Sequence, residues 1–193
     1  LNADVVMKSP GIPDKAPIIK QLKDNKVAIV SEIEFASEFT NATIIGITGS
    51  NGKTTVTRWT HHILKEGGLN ASVGGNIGDS FAKQVAVNPS EHYVLELSSF
   101  QLDDIKNFRP HIAIITNITP DHLDRYDYDF SKYVASKFRI TMNQTKDDYL
   151  IYDADNEAIN DYLEAHTIQP KLVPFSTTKP LKYGAYIEHN ELI

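Results

Sequence analysis

The sequence predicts an α/β fold with a doubly wound, mainly parallel sheet. Three observations carry this expectation. Short apolar runs alternate with helical periods along nearly the whole chain, the order that βαβ units produce. One run, Thr43 to Thr48 (TIIGIT), passes straight into Gly49-Ser50-Asn51-Gly52-Lys53-Thr54-Thr55 and then into an amphipathic period. Two others, Tyr93 to Leu97 and Ile112 to Thr116, each end in a polar sequence, as strands do whose carboxyl ends line a ligand crevice.

In chain order, Asp4 to Met7 reads as a short buried strand and Ser9-Pro10-Gly11 as a turn. A helix over Ala16 to Lys23 and a strand over Val27 to Val30 follow. Ser31 with Glu34 fits a capping box opening a short helix through Phe39. A boundary is expected at residues 39–42, dividing 1–40 from 41–193. After the glycine loop, the helix sets Val56, Trp59, Ile63 and Leu64 on one face and stops at Gly67-Gly68. Ala71 to Val73 is a strand that breaks at Gly74-Gly75-Asn76-Ile77-Gly78. The remaining elements are a helix over Asp129 to Met142, a strand over Tyr149 to Tyr152, a helix over Glu157 to Ala165 and a strand over Leu172 to Phe175. Tyr186 to Ile193 is strand-like, with a turn at His189-Asn190. The opening at Leu1 and the close at Ile193 read as the edges of a fragment of a longer protein.

Composition narrows the function classes. With 193 residues, 41% hydrophobic and 23% charged, the chain has the make-up of a folded, soluble protein. Its net charge of −6 argues against a nucleic-acid or anionic-membrane binder. It has no cysteine, which excludes disulfides, thiolate zinc sites and cysteine nucleophiles. No apolar run is long enough for a membrane span. A cytoplasmic location is the expectation.

The glycine loop is the strongest chemical signal. Glycines let consecutive backbone N–H groups turn into one concavity at a helix N-terminus, a lysine reaches a terminal phosphate, and a following hydroxyl ligates magnesium. Gly49 to Thr55, with Lys53 and Thr54, supplies each part, although Ile47 stands where the usual phosphate-loop pattern has its first glycine. Glu96 ends the strand HYVLE and offers hard oxygen ligands at the same sheet edge. His122 sits between Asp121 and Asp124 in the loop after Ile112 to Thr116, and Asp121 is placed to orient it. Two decoys are set aside. Asp153-Ala154-Asp155-Asn156-Glu157 imitates a calcium loop, but Ala158 occupies the glycine position, so these carboxylates read as helix caps. His61 and His62 are adjacent on a helix and point about 100° apart, too far to share one ion.

The form T-G-S-N-G-K-T-T resembles the ATP-binding loop of the Mur ligases and the related folylpolyglutamate synthases. The later motifs ELSSFQL, NITPDHLDRY and YVASKFRI resemble that family in the same order, with Ser136 where alanine is usual. The resemblance implies a central ATPase domain over 41–193 and, over 1–40, the end of a Rossmann-like UDP-binding domain, with a C-terminal domain missing. It implies ATP on Gly49, Ser50, Asn51, Gly52, Lys53, Thr54 and Thr55. It further implies two magnesium ions on Thr54, Glu96, His122 and a carbamoylated Lys137, a residue that by its own sequence context is a surface lysine on an amphipathic helix. Lys53, His122 and Lys137 would serve catalysis. Ser9, Pro10, Gly11, Asn76, Ser98 and Ser99 would contact substrate. SSFQL and DRY are nearest to the member that adds D-glutamate to UDP-N-acetylmuramoyl-L-alanine through an acyl phosphate, in peptidoglycan precursor synthesis, and a monomer is expected. The rivals are a diamino-acid-adding sibling, a folylpolyglutamate synthase, and, from another class, a phosphate-loop switch that ligates nothing.

Overall fold

The computed structural model describes residues 3–9, 12, 13 and 15–193. Two sheets organise them. A parallel pair joins β1 (Val5–Lys8) to β2 (Ala28–Ser31), with α1 (Pro17–Asp24) between them and α2 (Glu32–Ser37) after. The strand expected to be buried is present, but Val5 and Met7 are each about half exposed. Ser31 caps α2 by accepting from the Glu34 N–H. The reciprocal half of the expected capping box is not made, because the Glu34 carboxylate is spent elsewhere. It is buried and accepts from the backbone N–H groups of Lys106, Asn107 and Phe108 at 2.9, 2.7 and 2.9 Å.

The second sheet has eight strands in the order β10-β9-β8-β7-β6-β3-β5-β4. In chain order these are β3 (Thr43–Thr48), β4 (Ala71–Gly75), β5 (His92–Glu96), β6 (Ile112–Ile115), β7 (Tyr149–Asp153), β8 (Lys171–Ser176), β9 (Ala185–Glu188) and β10 (Glu191–Leu192). All pairings from β4 through β9 are parallel, and β9–β10 is an antiparallel hairpin. Its turn is the expected His189-Asn190, both residues being left-handed (φ 50° and 65°) as a two-residue hairpin loop requires.

The helices are α3 (Lys53–Glu66), α4 (Phe81–Val87), α5 (Ser99–Asp103), α6 (Phe130–Phe138) and α7 (Glu157–Ala165), with a 3₁₀ turn over Arg139–Thr141 extending α6. The main core fills one face of the sheet with Leu97, Leu102, Ile115, Phe138, Ile140, Leu150 and Ile159. On the other face Val56 and Leu64 of α3 cover Ile45, Ile47 and Val94. Each fully buried aliphatic side chain contributes about 1.5–3 kcal/mol. Trp59 and Ile63 do not join this face: they are 70% and 65% exposed, and the fully buried residue of α3 is Thr57, so the inward face is turned away from them. The carboxylates of the calcium decoy do not cap α7 either. Asn156 does, accepting from Ile159 N–H, while Asp155 accepts from Ser176, Thr177 and Thr178, which hold its carboxyl down at about 2. No described helix is long and apolar enough to cross a membrane.

Candidate active site

β3 lies inside the sheet between β6 and β5, and its carboxyl end delivers the glycine loop to one sheet edge. Gly49 is required there: its φ is 148°, and a Cβ would lie 2.0 Å from Thr116 Oγ1. Gly52 is left-handed (φ 80°) and caps α3. The loop is braced by the segment after β6. Ser50 N–H donates to the Asn117 carbonyl (2.8 Å), Asn51 N–H to Asn117 Oδ1 (2.9 Å), and Thr116 Oγ1 donates to the Asn51 carbonyl (2.7 Å). Ser50 Oγ also bonds Thr119 on both its N–H and carbonyl and lies 3.2 Å from the Tyr133 hydroxyl. Lys53 reaches back along its own loop, donating to the carbonyls of Gly49 (3.0 Å) and Ser50 (3.1 Å).

Glu96 ends β5, the strand beside β3, and its side chain is buried. One oxygen accepts from Thr54 Oγ1 (2.7 Å), the other from Asn76 Nδ2 (2.9 Å). Gly75 lets the Asn76 turn approach, since a Cβ there would fall 2.2 Å from the Glu96 carbonyl. Three sequence-predicted residues from three elements thus meet at one carboxylate. Hydroxyl and carboxylate oxygens of this kind fit magnesium.

His122 stands across the cleft in a left-handed backbone conformation, its N–H donating to Asp121 Oδ1 (2.8 Å) and its Nε2 3.6 Å from Asp121 Oδ2. Lys137 corrects its own sequence context: it is 2% exposed, not a surface lysine. Its ammonium donates to the Gly49 carbonyl (2.8 Å), the same oxygen that Lys53 bonds, and lies 4.5 Å from the centre of the Tyr133 ring. Burial, and then the Lys53 cation, push it down from 10.5 to about 7. An amine that is about half unprotonated near pH 7 can add carbon dioxide, which fits a carbamate at this position.

Lys53, Asn76, Ser98, Ser99, Asp121, His122 and Lys137 all line one cleft of about 240 Å³, with Phe100 and Tyr133 as its aromatic walls. A larger groove of about 460 Å³ between α6 and α7 contains none of the predicted residues. Ser98 also acts locally, forming a capping box with Gln101 on α5. Ser9 is exposed, and Pro10 and Gly11 lie outside the described residues. Among the described residues no three His, Asp or Glu side chains gather as a metal cluster. Sequence reasoning passed over Thr116, Asn117 and Tyr133, which brace the loop and wall the cleft. Their signal was position: the first two follow a buried strand, and Tyr133 lies one helical turn before Lys137.

Comparison with known proteins gives the family. The family model described as the Mur ligase middle domain matches residues 47–191. A curated relative from Christiangramia forsetii, named UDP-N-acetylmuramoylalanine–D-glutamate ligase, is 61% identical over 192 residues, all of this chain and 43% of that protein. A relative of the same name from Bacteroides fragilis is 52% identical over 193 residues, covering 44% of its length. The chain therefore spans less than half the length of these relatives. Among solved structures, the UDP-N-acetylmuramate:L-alanyl-gamma-D-glutamyl-meso-diaminopimelate ligase from Neisseria meningitides superposes with a TM-score of 0.67 at 17% identity, over 95% of this chain and 63% of that one. The UDP-N-acetylmuramate–alanine ligase from Thermotoga maritima gives 0.61 at 22%, over 97% and 41%. These two likenesses concern the fold. With the family model covering most of its length and the loop, the strand-end carboxylate and the buried lysine in place, the chain belongs to the Mur ligase family and carries that family's middle domain.

Proposed function

We propose that the protein containing this chain joins D-glutamate to UDP-N-acetylmuramoyl-L-alanine at the expense of ATP, in peptidoglycan precursor synthesis. The observation that carries the reading is the convergence of Lys53, Asn76, His122 and Lys137 on one cleft, with Glu96 bonded to Thr54 and Asn76 beside it. The names of the curated relatives support the same substrates.

In this reading the N–H groups of Gly49 to Thr55 hold the ATP phosphates, and Lys53 leaves the Gly49 and Ser50 carbonyls to follow charge on the transferring phosphate. Thr54 and Glu96 would hold one magnesium ion, and His122 with a carbamate on Lys137 a second. Bound there, the ions would neutralise phosphate charge and polarise the γ-phosphate. Asn76 orients the acceptor carboxylate, with Ser98 and Ser99 lining its path. A carboxylate oxygen attacks the γ-phosphorus, ADP leaves, and an acyl phosphate results. The D-glutamate amine then attacks the acyl carbon, loses a proton, and expels phosphate to leave the amide. Residues 1–40, with their separate strand pair, would belong to the UDP-substrate domain, where Ser9, Pro10 and Gly11 approach the nucleotide; 41–193 form the ATP-binding domain. The protein acts as a cytoplasmic monomer.

The test is phosphate release by the full-length protein given UDP-N-acetylmuramoyl-L-alanine, ATP and one of D-glutamate, L-glutamate, L-lysine or meso-diaminopimelate. Release is expected with D-glutamate alone, and Lys53→Ala should abolish it in a folded protein. Turnover with a diamino acid, or a folded Lys53→Ala that retains its rate, overturns the reading.

A further inference from the structure

Three segments that carry site residues converge on one cluster, in which two buried hydroxyls meet a carboxylate at the surface. The Tyr126 hydroxyl, in the turn that follows His122, donates to Asp103 Oδ2 (2.8 Å) and lies 3.0 Å from Ser136 Oγ. Ser136, the residue before Lys137 on α6, donates to Asp103 Oδ1 (2.6 Å), and its Oγ lies 3.1 Å from the Ser99 carbonyl. Asp103 ends α5, the helix that Ser98 caps and Ser99 opens. Each hydroxyl has one proton, and the shortest contacts send both to the two oxygens of the Asp103 carboxylate. Tyr126 and Ser136 are 8% and 3% exposed, and burial pushes the Tyr126 hydroxyl up, so it remains a donor at any working pH.

The segment that most needs such a tie is the His122 turn. His122, Asp127 and Tyr128 are all left-handed without being glycine (φ 50°, 55° and 58°), a conformation that persists only where surrounding contacts impose it. Tyr126 is the turn's buried anchor: its ring packs edge-on against Tyr133 and parallel to Phe100, whose ring in turn touches that of His122. By contrast, the spacing of α5 and α6 is held independently, because Arg139 donates to the carbonyls of Leu102 and Ile105 at 2.7 Å each.

We infer that Tyr126, Asp103 and Ser136 are positioning residues that set His122 opposite the Lys53–Glu96 side of the cleft. The inference rests on the proposed function for what His122 does there, but not for the tie itself. Tyr126→Phe removes one hydroxyl and keeps the ring; Ser136→Ala removes the second donor and installs the residue usual in the family resemblance.

Two readouts on the full-length protein test it. Amide hydrogen exchange over residues 122–128 should accelerate about tenfold in Tyr126→Phe, as expected for one lost hydrogen bond to a carboxylate, with β3 unchanged. The magnesium concentration for half-maximal D-glutamate-dependent phosphate release should rise about tenfold, while the KM for ATP stays within about twofold. Ser136→Ala should move both in the same direction by less, and it serves alone if Tyr126→Phe does not fold. Unchanged exchange over 122–128 in a folded variant overturns the inference. So does an equal rise in magnesium half-saturation and ATP KM, which would signal general loosening. If the unaltered protein releases no phosphate, the ligase reading fails, and the exchange measurement still decides whether the cluster holds the turn.

Discussion

Replacing Lys137 by methionine should stabilise the protein at neutral pH, and by an amount that depends on pH. The side chain is buried and its ammonium lies at about 7 in the fold against an ordinary 10.5. Between those values the unfolded chain binds a proton that the native protein does not, so stability rises with pH by about 1.4 kcal/mol per unit. At pH 7.5, three units below the unfolded value, the cost of folding with this amine is about 4 kcal/mol. Methionine fills a similar volume without a charge. It forfeits the bond to the Gly49 carbonyl, worth about 1 kcal/mol, but that oxygen keeps the Lys53 ammonium at 3.0 Å. The net gain should be about 3 kcal/mol at pH 7.5 and about zero at pH 9.5. Urea titrations in bicarbonate-free buffer read this directly: at about 2 kcal/mol per molar, the two midpoints should differ by more than about 1 M at the lower pH and converge at the higher. Adding bicarbonate should flatten the pH slope of the unaltered protein and leave Lys137→Met unmoved, because a carbamate no longer titrates as an amine. Parallel stability curves for the two proteins between pH 7.5 and 9.5 would refute the argument.

Two further outcomes follow from contacts elsewhere. Glu34→Gln keeps the shape of the side chain but turns an NH₂ toward at least one of the three N–H groups at 106–108, so unfolding by denaturant should become easier by about 1–3 kcal/mol; an unchanged midpoint would show that the clamp is dispensable. Gly49→Ala places a methyl 2.0 Å from Thr116 Oγ1 and must displace the loop from its brace. Phosphate release should then fall at least about a hundredfold in a protein that still melts cooperatively, and a rate within threefold or so of the original would refute the loop geometry.

Much of the fold was legible because its signals are local. The run TIIGIT, the glycines at 49 and 52 and the hydroxyls after Lys53 name a strand, a turn and a helix start within 13 residues, and β3 and α3 follow that reading. Glu157–Ala165 shows its helical period unaided, and His189-Asn190 carries the turn chemistry of a two-residue hairpin. The elements that escaped, α4 and α5, are seven and five residues long, too short to display a 3.6-residue period. For α5 the signal was nonetheless present, as Ser98 with Gln101 is a capping box.

Side-chain partnership was not legible, because it is decided by segments far apart in the chain. Apolar residues on α3 told which could be buried, and only the way the helix docks, with Thr57 inward, decided that Val56 and Leu64 are covered while Trp59 and Ile63 are not. Glu34 had a plausible local partner at Ser31, yet its carboxylate goes to donors more than 70 residues away, where three N–H groups outweigh one. Asp155 likewise serves the chain after β8 and leaves the helix cap to Asn156. Lys137 is the clearest case: its helix offers an ordinary lysine to water, and only docking of α6 beside Gly49, 88 residues earlier, buries it and lowers its proton affinity. The sequence by itself determined the order of elements, the phosphate loop and the residue types at the strand ends, since those depend on periodicity and turn chemistry. The tertiary structure alone decided which charges lose their water and which polar groups share it, since burial and long-range hydrogen bonding belong to the packed sheet and to no single segment.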